Sequence, residues 1–292
     1  MRVIGIGDNV CDKYEHQKTM YPGGQALNFS IYAQMLGVES AYIGVFGTDE
    51  VAQHVMAALD KYQVDRSRCR QYEGENGCAR VTLVDGDRVF LGSNKGGVLR
   101  DHPIELGDVD LNYIKQFALC HTSNNSYMDS QLPRLKQAGI SVSYDFSGQW
   151  VDAERVERVA PCIDYAFLSC GGAATQETAA DICRMINGKG TGMVIATRGS
   201  EGAMLYDGTD FYTQPPKLVE AVDTLGAGDS FAAAFLLAWL KRKDRAEQDP
   251  SIRPAVLREA LEQAAEFSSK TCLVYGAFGE GTAFEPMGKG EA

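Results

Sequence analysis

The chain has 292 residues, of which 45% are hydrophobic, enough for one large α/β domain or two small ones. Its net charge of −11 argues against nucleic acid and anionic membranes as partners, although backbone amides and a metal ion can still hold a phosphate. The apolar run before Asp8 is too short for a signal peptide, and the run at residues 231–240 is too short to cross a bilayer. We therefore expect a cytoplasmic protein with a small-molecule ligand.

Strand and helix patterns alternate along most of the chain. Short β-branched runs predict strands, and apolar residues at helical spacing predict the helices between them. This alternation indicates an α/β fold with a mostly parallel sheet covered by helices on both faces, and ligands bind beyond the carboxyl ends of such strands. The predicted strands span residues 2–6, 41–46, 117–121, 140–144, 163–168 and 193–197, and the predicted helices span residues 26–36, 51–62, 128–137, 151–159 and 175–186.

One region interrupts this alternation. Residues 78–84 and 88–91 are strand-like and flank Asp85-Gly86, which is a strong signal for a short hairpin. Residues 12–21 could add another strand, and together these segments would form a small antiparallel sheet. We interpret the sheet as a lid that excludes water from a cleft; an edge extension without function is the alternative. The predicted lid comprises residues 12–22 and 77–96.

Residues 223–231, with the sequence DTLGAGDSF, contain the most informative motif. Residues 217–222 before it are strand-like and residues 231–240 after it are apolar, which predicts a strand, a tight glycine turn and a buried helix. The first amides of a helix lack intrahelical partners and attract anions. An aspartate beside them can accept a proton when a hydroxyl attacks phosphorus. The alternative is an ordinary helix start with an aspartate cap.

A second motif, residues 22–28 with the sequence PGGQALN, precedes this one by most of the chain. The pair resembles the ribokinase (PfkB) family of sugar kinases, and the resemblance covers nearly the whole sequence. It implies one ribokinase-like domain over residues 1–292, with a three-layer αβα fold, a mostly parallel central sheet and a small antiparallel β lid. It also implies a carbohydrate kinase that uses ATP and Mg²⁺ to phosphorylate a primary hydroxyl.

The resemblance assigns roles to the residues that match the family motifs. Asp229 would be the catalytic base, and the amides of Gly226, Ala227 and Gly228 would form the anion hole for the transferred phosphoryl group. Asp8 and Asp12 follow the first predicted strand and are candidate sugar ligands; turn-capping acids are the alternative. The other implied sugar contacts are Gly23, Gly24 and Asn28, and the implied nucleotide contacts are Thr197, Gly199, Gly202, Ser169 and Gly276.

The metal sites are less clearly marked. The family often places N-x-x-E after a mid-chain strand to organise magnesium, but residues 169–172 here read Ser-Cys-Gly-Gly. Glu177, further along, is the remaining candidate, and an ordinary acid in the first turn of a helix is the alternative. Asp223 lies where the family often binds a monovalent cation, so K⁺ activation is an expectation. By the same analogy, pairing of projecting sheets would give a homodimer.

A closer resemblance is to the branch of the family that phosphorylates fructosamines, which implies fructoselysine as the substrate and its 6-phosphate as the product. A fructosamine contains a cationic secondary amine, and a carboxylate such as Asp8 or Asp145 would favour it over a neutral sugar. Lys95 could contact the amino-acid end of such a substrate, or lie in a solvated loop. The alternatives are a fructokinase, ribokinase or nucleoside kinase, or a catalytically silent sensor of sugar or nucleotide. The residues that carry this closer resemblance are 7–9, Asp12, Tyr14, 87–90, 145–147 and Trp150.

Overall fold

The structure is a computed structural model that describes residues 1–84, 87–172 and 174–285; the predicted turn at Asp85-Gly86 lies outside them. The strands are β1 (Arg2–Gly7), β2 (Val10–Tyr14), β3 (Thr19–Gly23), β4 (Glu39–Phe46), β5 (Arg70–Gln71), β6 (Cys78–Val84), β7 (Asp87–Ser93), β8 (Leu119–Ser123), β9 (Val142–Asp145), β10 (Tyr165–Ser169), β11 (Met193–Thr197), β12 (Ala203–Tyr206), β13 (Phe211–Gln214) and β14 (Thr282–Ala283). The helices are α1 (Gln25–Met35), α2 (Glu50–Lys61), α3 (Val98–Asp101), α4 (Asp108–Ile114), α5 (Leu132–Gln137), α6 (Ala153–Val159), α7 (Gln176–Asn187), α8 (Ala227–Leu240), α9 (Lys243–Gln248) and α10 (Arg253–Thr271). Single 3₁₀ turns lie at Asp129–Gln131, Gln149–Val151, Ala160–Cys162, Gly199–Glu201 and Pro250–Ile252.

A nine-stranded sheet forms the centre of the molecule, in the order β13-β12-β11-β10-β9-β8-β1-β4-β5. Neighbouring strands from β11 to β5 are parallel, and β12 and β13 add an antiparallel edge. The chain leaves β1 toward β4 and later returns to the other side of β1 with β8. A crevice opens at such a reversal, outside the carboxyl ends of the strands, and it is where ligands bind in sheets of this kind.

Helices cover both faces of this sheet because its strands are buried on both sides. In β11, Met193 and Ile195 point into one apolar core, and Val194 and Ala196 point into the other. The first core includes α1, α8 and α10, and the second includes α5, α6 and α7. This arrangement confirms the predicted three-layer αβα fold with a mostly parallel central sheet.

A smaller sheet of five strands has the order β14-β3-β2-β6-β7. Three of its pairings are antiparallel, whereas β2 and β6 run parallel. Residues 12–21, predicted as one strand, contain parts of two strands and the turn between them, and β14 was not predicted. Phe90 and Leu91 on β7 expose 63% and 49% of their surface, which is the kind of apolar exposure that pairing between copies would cover. The homodimer, the lid function and the single-domain boundaries stay predictions.

The segment before the glycine turn differs from the prediction. Residues 217–222 form no strand, and Leu218 exposes 75% of its surface. The preceding Pro215-Pro216 has no amide hydrogens to donate to a ladder, so the chain leaves the sheet edge after β13. The glycine turn therefore follows an irregular segment. Within the described ranges, none of the helices combines the length and apolar character that crossing a membrane requires.

Candidate active site

The amino terminus of α8 is held between α1 and the segment that follows α10. Gly226, the residue before the helix, has φ of +75°, a left-handed conformation that costs most side chains energy. A Cβ at this position would lie 2.9 Å from Cα of Ala277 and would also collide with the hydroxyl of Tyr32. Glycine is therefore required here by conformation and by space. The turn leaves Ala227 partly exposed and Gly228 exposed, and the amide of Ala227 donates a hydrogen bond of 3.3 Å to the carbonyl of Thr224.

Two cavities lie on either side of this turn. The first, of about 400 Å³, has mainly apolar walls that include Pro215, Val219 and Phe231, and we call it the apolar cavity. The second, of about 760 Å³, is lined by four carboxylates, and we call it the acidic cavity. Ala227 and Gly228 line the apolar cavity, whereas the next residue lines the acidic cavity. The carboxylates of the acidic cavity are those of Asp8, Asp12, Asp129 and Asp229.

Asp229 is a partly buried carboxylate at the boundary between these cavities. Its Oδ2 accepts a hydrogen bond of 2.6 Å from Nδ2 of Asn28 on α1. Burial raises the pKa of Asp229 to about 6; the hydrogen bond from Asn28 opposes this rise, and the negative charge of Asp8 adds to it. A carboxylate whose pKa lies close to neutral pH is well suited to accept a proton and release it again.

Asn28 also offers an acceptor to the acidic cavity. The residue is 3% exposed, and its Oδ1 has no hydrogen-bond partner among the described residues. A Cβ built on Gly23 would lie 3.1 Å from Oδ2 of Asp12 and 3.8 Å from Oδ1 of Asn28, so both acceptors face the same glycine. A buried acceptor without a partner costs free energy, which a hydroxyl group of a ligand would recover. The arrangement therefore suits a polyhydroxylated ligand.

Asp8 has a different environment from the other acids. It is 5% exposed, and its carboxylate accepts hydrogen bonds from the amides of Gln25 and Ala26 at the start of α1. The hydroxyls of Ser123 and Ser126 donate to its Oδ1 at 3.0 and 2.8 Å. Through these four donors Asp8, which follows β1, is connected to the start of α1, the end of β8 and the loop after β8. The role of Asp8 as a sugar ligand stays a prediction, and its described contacts are those of a carboxylate that holds three segments together.

The predicted nucleotide residues fall into two groups. Thr197, Gly199 and Gly202 all line the apolar cavity, beside Ala227 and Gly228 of the glycine turn. Ser169 and Gly276 line neither cavity. The carbonyl of Ser169 accepts a hydrogen bond from the indole of Trp150, and a Cβ on Gly276 would collide with Tyr21 of the small sheet.

Asp223 connects three parts of the structure through its carboxylate. Its Oδ2 accepts hydrogen bonds from the hydroxyl of Tyr14 on β2 and from the amide of Gly276, and its Oδ1 accepts one from the amide of Leu225. The small sheet, the glycine turn and the segment after α10 thus meet at one side chain. Its role in binding a monovalent cation stays a prediction.

The candidate magnesium ligand Glu177 is exposed in the first turn of α7 and lines neither cavity. Among the residues that the structure describes, no three or more His, Cys, Asp or Glu side chains are grouped as metal ligands would be. The described side chains therefore do not fit a dedicated protein site for Mg²⁺. Where Mg²⁺ enters with a nucleotide, phosphates and water supply most of its ligands.

Sequence reasoning missed a charged group of residues in the acidic cavity. Asp129 and Arg155 line it and form an ion pair of 3.1 Å, and Asn124 lines it after β8. These residues follow β8 and β9 in the chain, and residues that follow the carboxyl ends of parallel strands often line a ligand site. This position is the sequence signal that could have identified them. Asp145, considered for the substrate amine, lies at the end of β9 and lines neither cavity; burial, reinforced by the charge of Asp229, raises its pKa to about 7.

Comparison with known proteins defines the class. A family model described as pfkB family carbohydrate kinase matches residues 1–279 of the chain. The protein therefore belongs to this family, and the prediction of a carbohydrate kinase that transfers a phosphoryl group to a sugar hydroxyl is confirmed.

Two relatives by sequence and one solved structure are similar to the chain along most of its length. The chain is 43% identical over 282 residues to the fructosamine kinase FrlD of Bacillus subtilis, covering 96% of this chain and 94% of that one. It is 31% identical over 273 residues to the fructoselysine 6-kinase of Escherichia coli, covering 94% and 98%. The ribokinase of Arabidopsis thaliana complexed with ribose and ATP superposes with a TM-score of 0.75 at 20% identity, covering 95% and 93%, which supports the fold alone.

Proposed function

We propose that the protein transfers the γ-phosphoryl group of ATP to a primary hydroxyl of a fructosamine, with fructoselysine as the representative substrate and its 6-phosphate as the product. One observation carries the proposal: Asp229 lines the acidic cavity, while Ala227 and Gly228, the two residues just before it, line the apolar cavity. A phosphoryl donor and a hydroxyl acceptor in the two cavities would meet at this carboxylate.

The reaction follows from the positions of these groups. The adenine of ATP binds against the apolar walls beside Thr197 and Gly202, and the phosphates extend toward the first turn of α8. The amide of Gly228, and that of Ala227 once it releases the carbonyl of Thr224, donate to the oxygens of the transferred group, where the helix terminus favours negative charge. Asp229 accepts the proton of the attacking hydroxyl and later releases it to solvent. Asn28 holds the carboxylate of Asp229 in position for this transfer.

The charge of the acidic cavity supports the fructosamine as acceptor. Four carboxylates line it, against the two cations Lys95 and Arg155. A negative cavity attracts the cationic amine of a fructosamine more strongly than a neutral hexose or a nucleoside. The two curated relatives named above act, by their names, on fructosamine and fructoselysine. The sugar would bind beside Asp12, Gly23, Gly24 and Asn28, under the small sheet.

The metal requirements are part of the proposal. Mg²⁺ would enter as the complex with ATP, whose phosphates, together with water, would supply most of its ligands. K⁺ would act near Asp223, and replacement of potassium chloride by tetramethylammonium chloride at equal ionic strength would then lower kcat. Equal kcat in the two salts would reject K⁺ activation without touching the rest of the proposal.

An assay of ADP release tests the function directly. We expect kcat/KM to be highest for fructoselysine in a panel with fructose, ribose and adenosine. Asp229→Asn should still bind both substrates in calorimetry but lose about 100- to 10,000-fold in kcat, since a positioned general base contributes that much. A preference for fructose, ribose or adenosine would assign the alternative substrate, and turnover of none of the four would favour a silent sensor. Near-normal kcat for Asp229→Asn would reject the catalytic assignment.

A further inference from the structure

The acidic cavity contains an arginine that the phosphoryl transfer does not use. Arg155 lies in the first turn of α6, where the helix dipole disfavours a positive charge, so stability of the helix does not explain its presence. Its side chain is 22% exposed and lines the cavity. A guanidinium offers a fork of donors that matches the geometry of a carboxylate, and this one lines a ligand cavity.

Neighbouring residues hold this guanidinium in one orientation. Its Nε donates to Oδ2 of Asp129 at 3.1 Å, and the hydroxyl of Tyr144 fixes the other carboxylate oxygen of Asp129 at 2.7 Å. Its Nη1 reaches Oε1 of Gln149 only at the long distance of 3.5 Å, and its Nη2 donates to no acceptor among the residues described. The Nε is thus occupied, and the two Nη groups form a fork that matches a carboxylate.

We propose that Arg155 is a specificity-determining residue that binds the carboxylate of the amino acid attached to the sugar. This inference rests on the proposed function. In a fructosamine the primary hydroxyl and the amine lie at opposite ends of the sugar, so the amine substituent extends away from Asp229. Asp229 belongs to α8 and contacts α1, whereas Arg155 and Asp129 belong to α6 and the turn after β8. Different elements thus recognise the two ends of the substrate.

The distribution of charge in the cavity agrees with such a ligand. Asp8, Asp12 and Asp229 are negative and would face the sugar and its cationic amine. Asp129 neutralises Arg155, and the exposed Lys95, in the loop after β7, adds a positive charge to the lining of the cavity. The lining thus carries negative charges on Asp8, Asp12 and Asp229 and positive charges on other elements. A ligand that has both a cationic amine and a carboxylate is complementary to a lining with charges of both signs.

Two substrates that differ only in the carboxylate test the proposal. One is fructoselysine, and the other is the fructosamine of 1,5-diaminopentane, which is fructoselysine without its carboxylate. We expect the wild type to prefer fructoselysine in kcat/KM by about ten- to hundred-fold, the effect of hydrogen bonds between charged groups. Arg155→Met should reduce this ratio to about one, and the reduction should arise from KM more than from kcat.

Arg158→Met is the matched control. Arg158 lies one turn further along α6 and also approaches Asp129, at 3.8 Å. Its side chain is 56% exposed, however, and does not line the cavity. It should keep the wild-type ratio. Arg155→Lys keeps a charge for Asp129 but has no fork, so it should lower the ratio even if the methionine variant does not fold. A wild type without preference, or a folded Arg155 variant that keeps the full ratio, would overturn the role of Arg155 while the fructosamine function stands. Turnover of neither fructosamine by the wild type would instead overturn the proposed function.

Discussion

The hydrogen bond between Asn28 and Asp229 allows a quantitative test of the catalytic base. Asp229 works as a carboxylate, so kcat/KM should fall as pH falls through its pKa of about 6, by tenfold for each further unit. The bond from Asn28 stabilises the charged form and therefore holds the pKa down. Asn28→Ala removes this donor, and the acid limb of the pH profile should move to higher pH.

The size of the movement follows from the strength of the bond. A hydrogen bond to a charged group is worth about 1.5–3 kcal/mol, and one pKa unit corresponds to about 1.36 kcal/mol. Because Asp229 is only partly buried, solvent screens part of this energy, and we expect a shift of about one unit. At pH 6 the wild type should thus retain about half of its maximal kcat/KM and the variant about a tenth, which is roughly a five-fold difference in the retained fraction.

The assay is kcat/KM from ADP release between pH 4.5 and 9, with buffers of constant ionic strength. Asn124→Ala is the matched control, because Asn124 lines the same cavity and has no hydrogen bond to Asp229 among the described contacts. It should change the height of the profile but leave the acid limb in place. An acid limb at the same pH in Asn28→Ala and wild type, or a wild-type profile that stays level down to pH 4.5, would refute the reasoning.

Three substitutions, one of them paired with a control substitution, test by chemical unfolding the contacts that support the site. Gly226→Ala forces a side chain into φ of +75° and into the crowded contact with α1, so the free energy of unfolding should fall by about 2 kcal/mol or more. Gly228→Ala is its control, because nothing lies within 4 Å of the added methyl group. The free energy of unfolding of this control should stay within about 0.5 kcal/mol of that of the wild type. Asp8→Asn removes the charge that four donors share and should cost about 2 kcal/mol; an unchanged unfolding midpoint would contradict its structural role. Tyr14→Phe removes the hydroxyl that donates to Asp223 and should cost about 1–2 kcal/mol, and a smaller loss than about 0.5 kcal/mol would show that this contact contributes little.

The sequence predicts those parts of the site whose conformation is determined by residues close to them in the chain. Gly226 is needed for a left-handed turn, and the apolar residues after Asp229 need a buried helix, so both features are visible within one short segment. The alternation of strands and helices predicts the central sheet for a similar reason. Asn28 is visible only through the resemblance to a family, because nothing in its own segment indicates a partner two hundred residues away.

The remaining features depend on which segments become neighbours. Residues 217–222 have a strand-like composition, but a strand also needs a partner, and the two prolines before them direct the chain away from the sheet. Asp129 lies in the turn after β8 and Arg155 in α6 after β9, and these segments meet because β8 and β9 are adjacent in the sheet. Strand order is a property of the whole fold, so reading along the chain does not reveal that pair.

The burial of α8 on all sides has a consequence for how this protein can change during evolution. Seven consecutive side chains, from Phe231 to Leu237, are buried between α1 and α10, so a shift of the helix would disturb a close-packed interior. The carboxylate of Asp229 therefore lies on a closely packed helix in which few substitutions would be tolerated. Phe90 on β7 and Lys95 in the loop after it line the same cavity and are exposed, so new acceptor preferences should arise there by substitution, with the phosphate-handling side left intact.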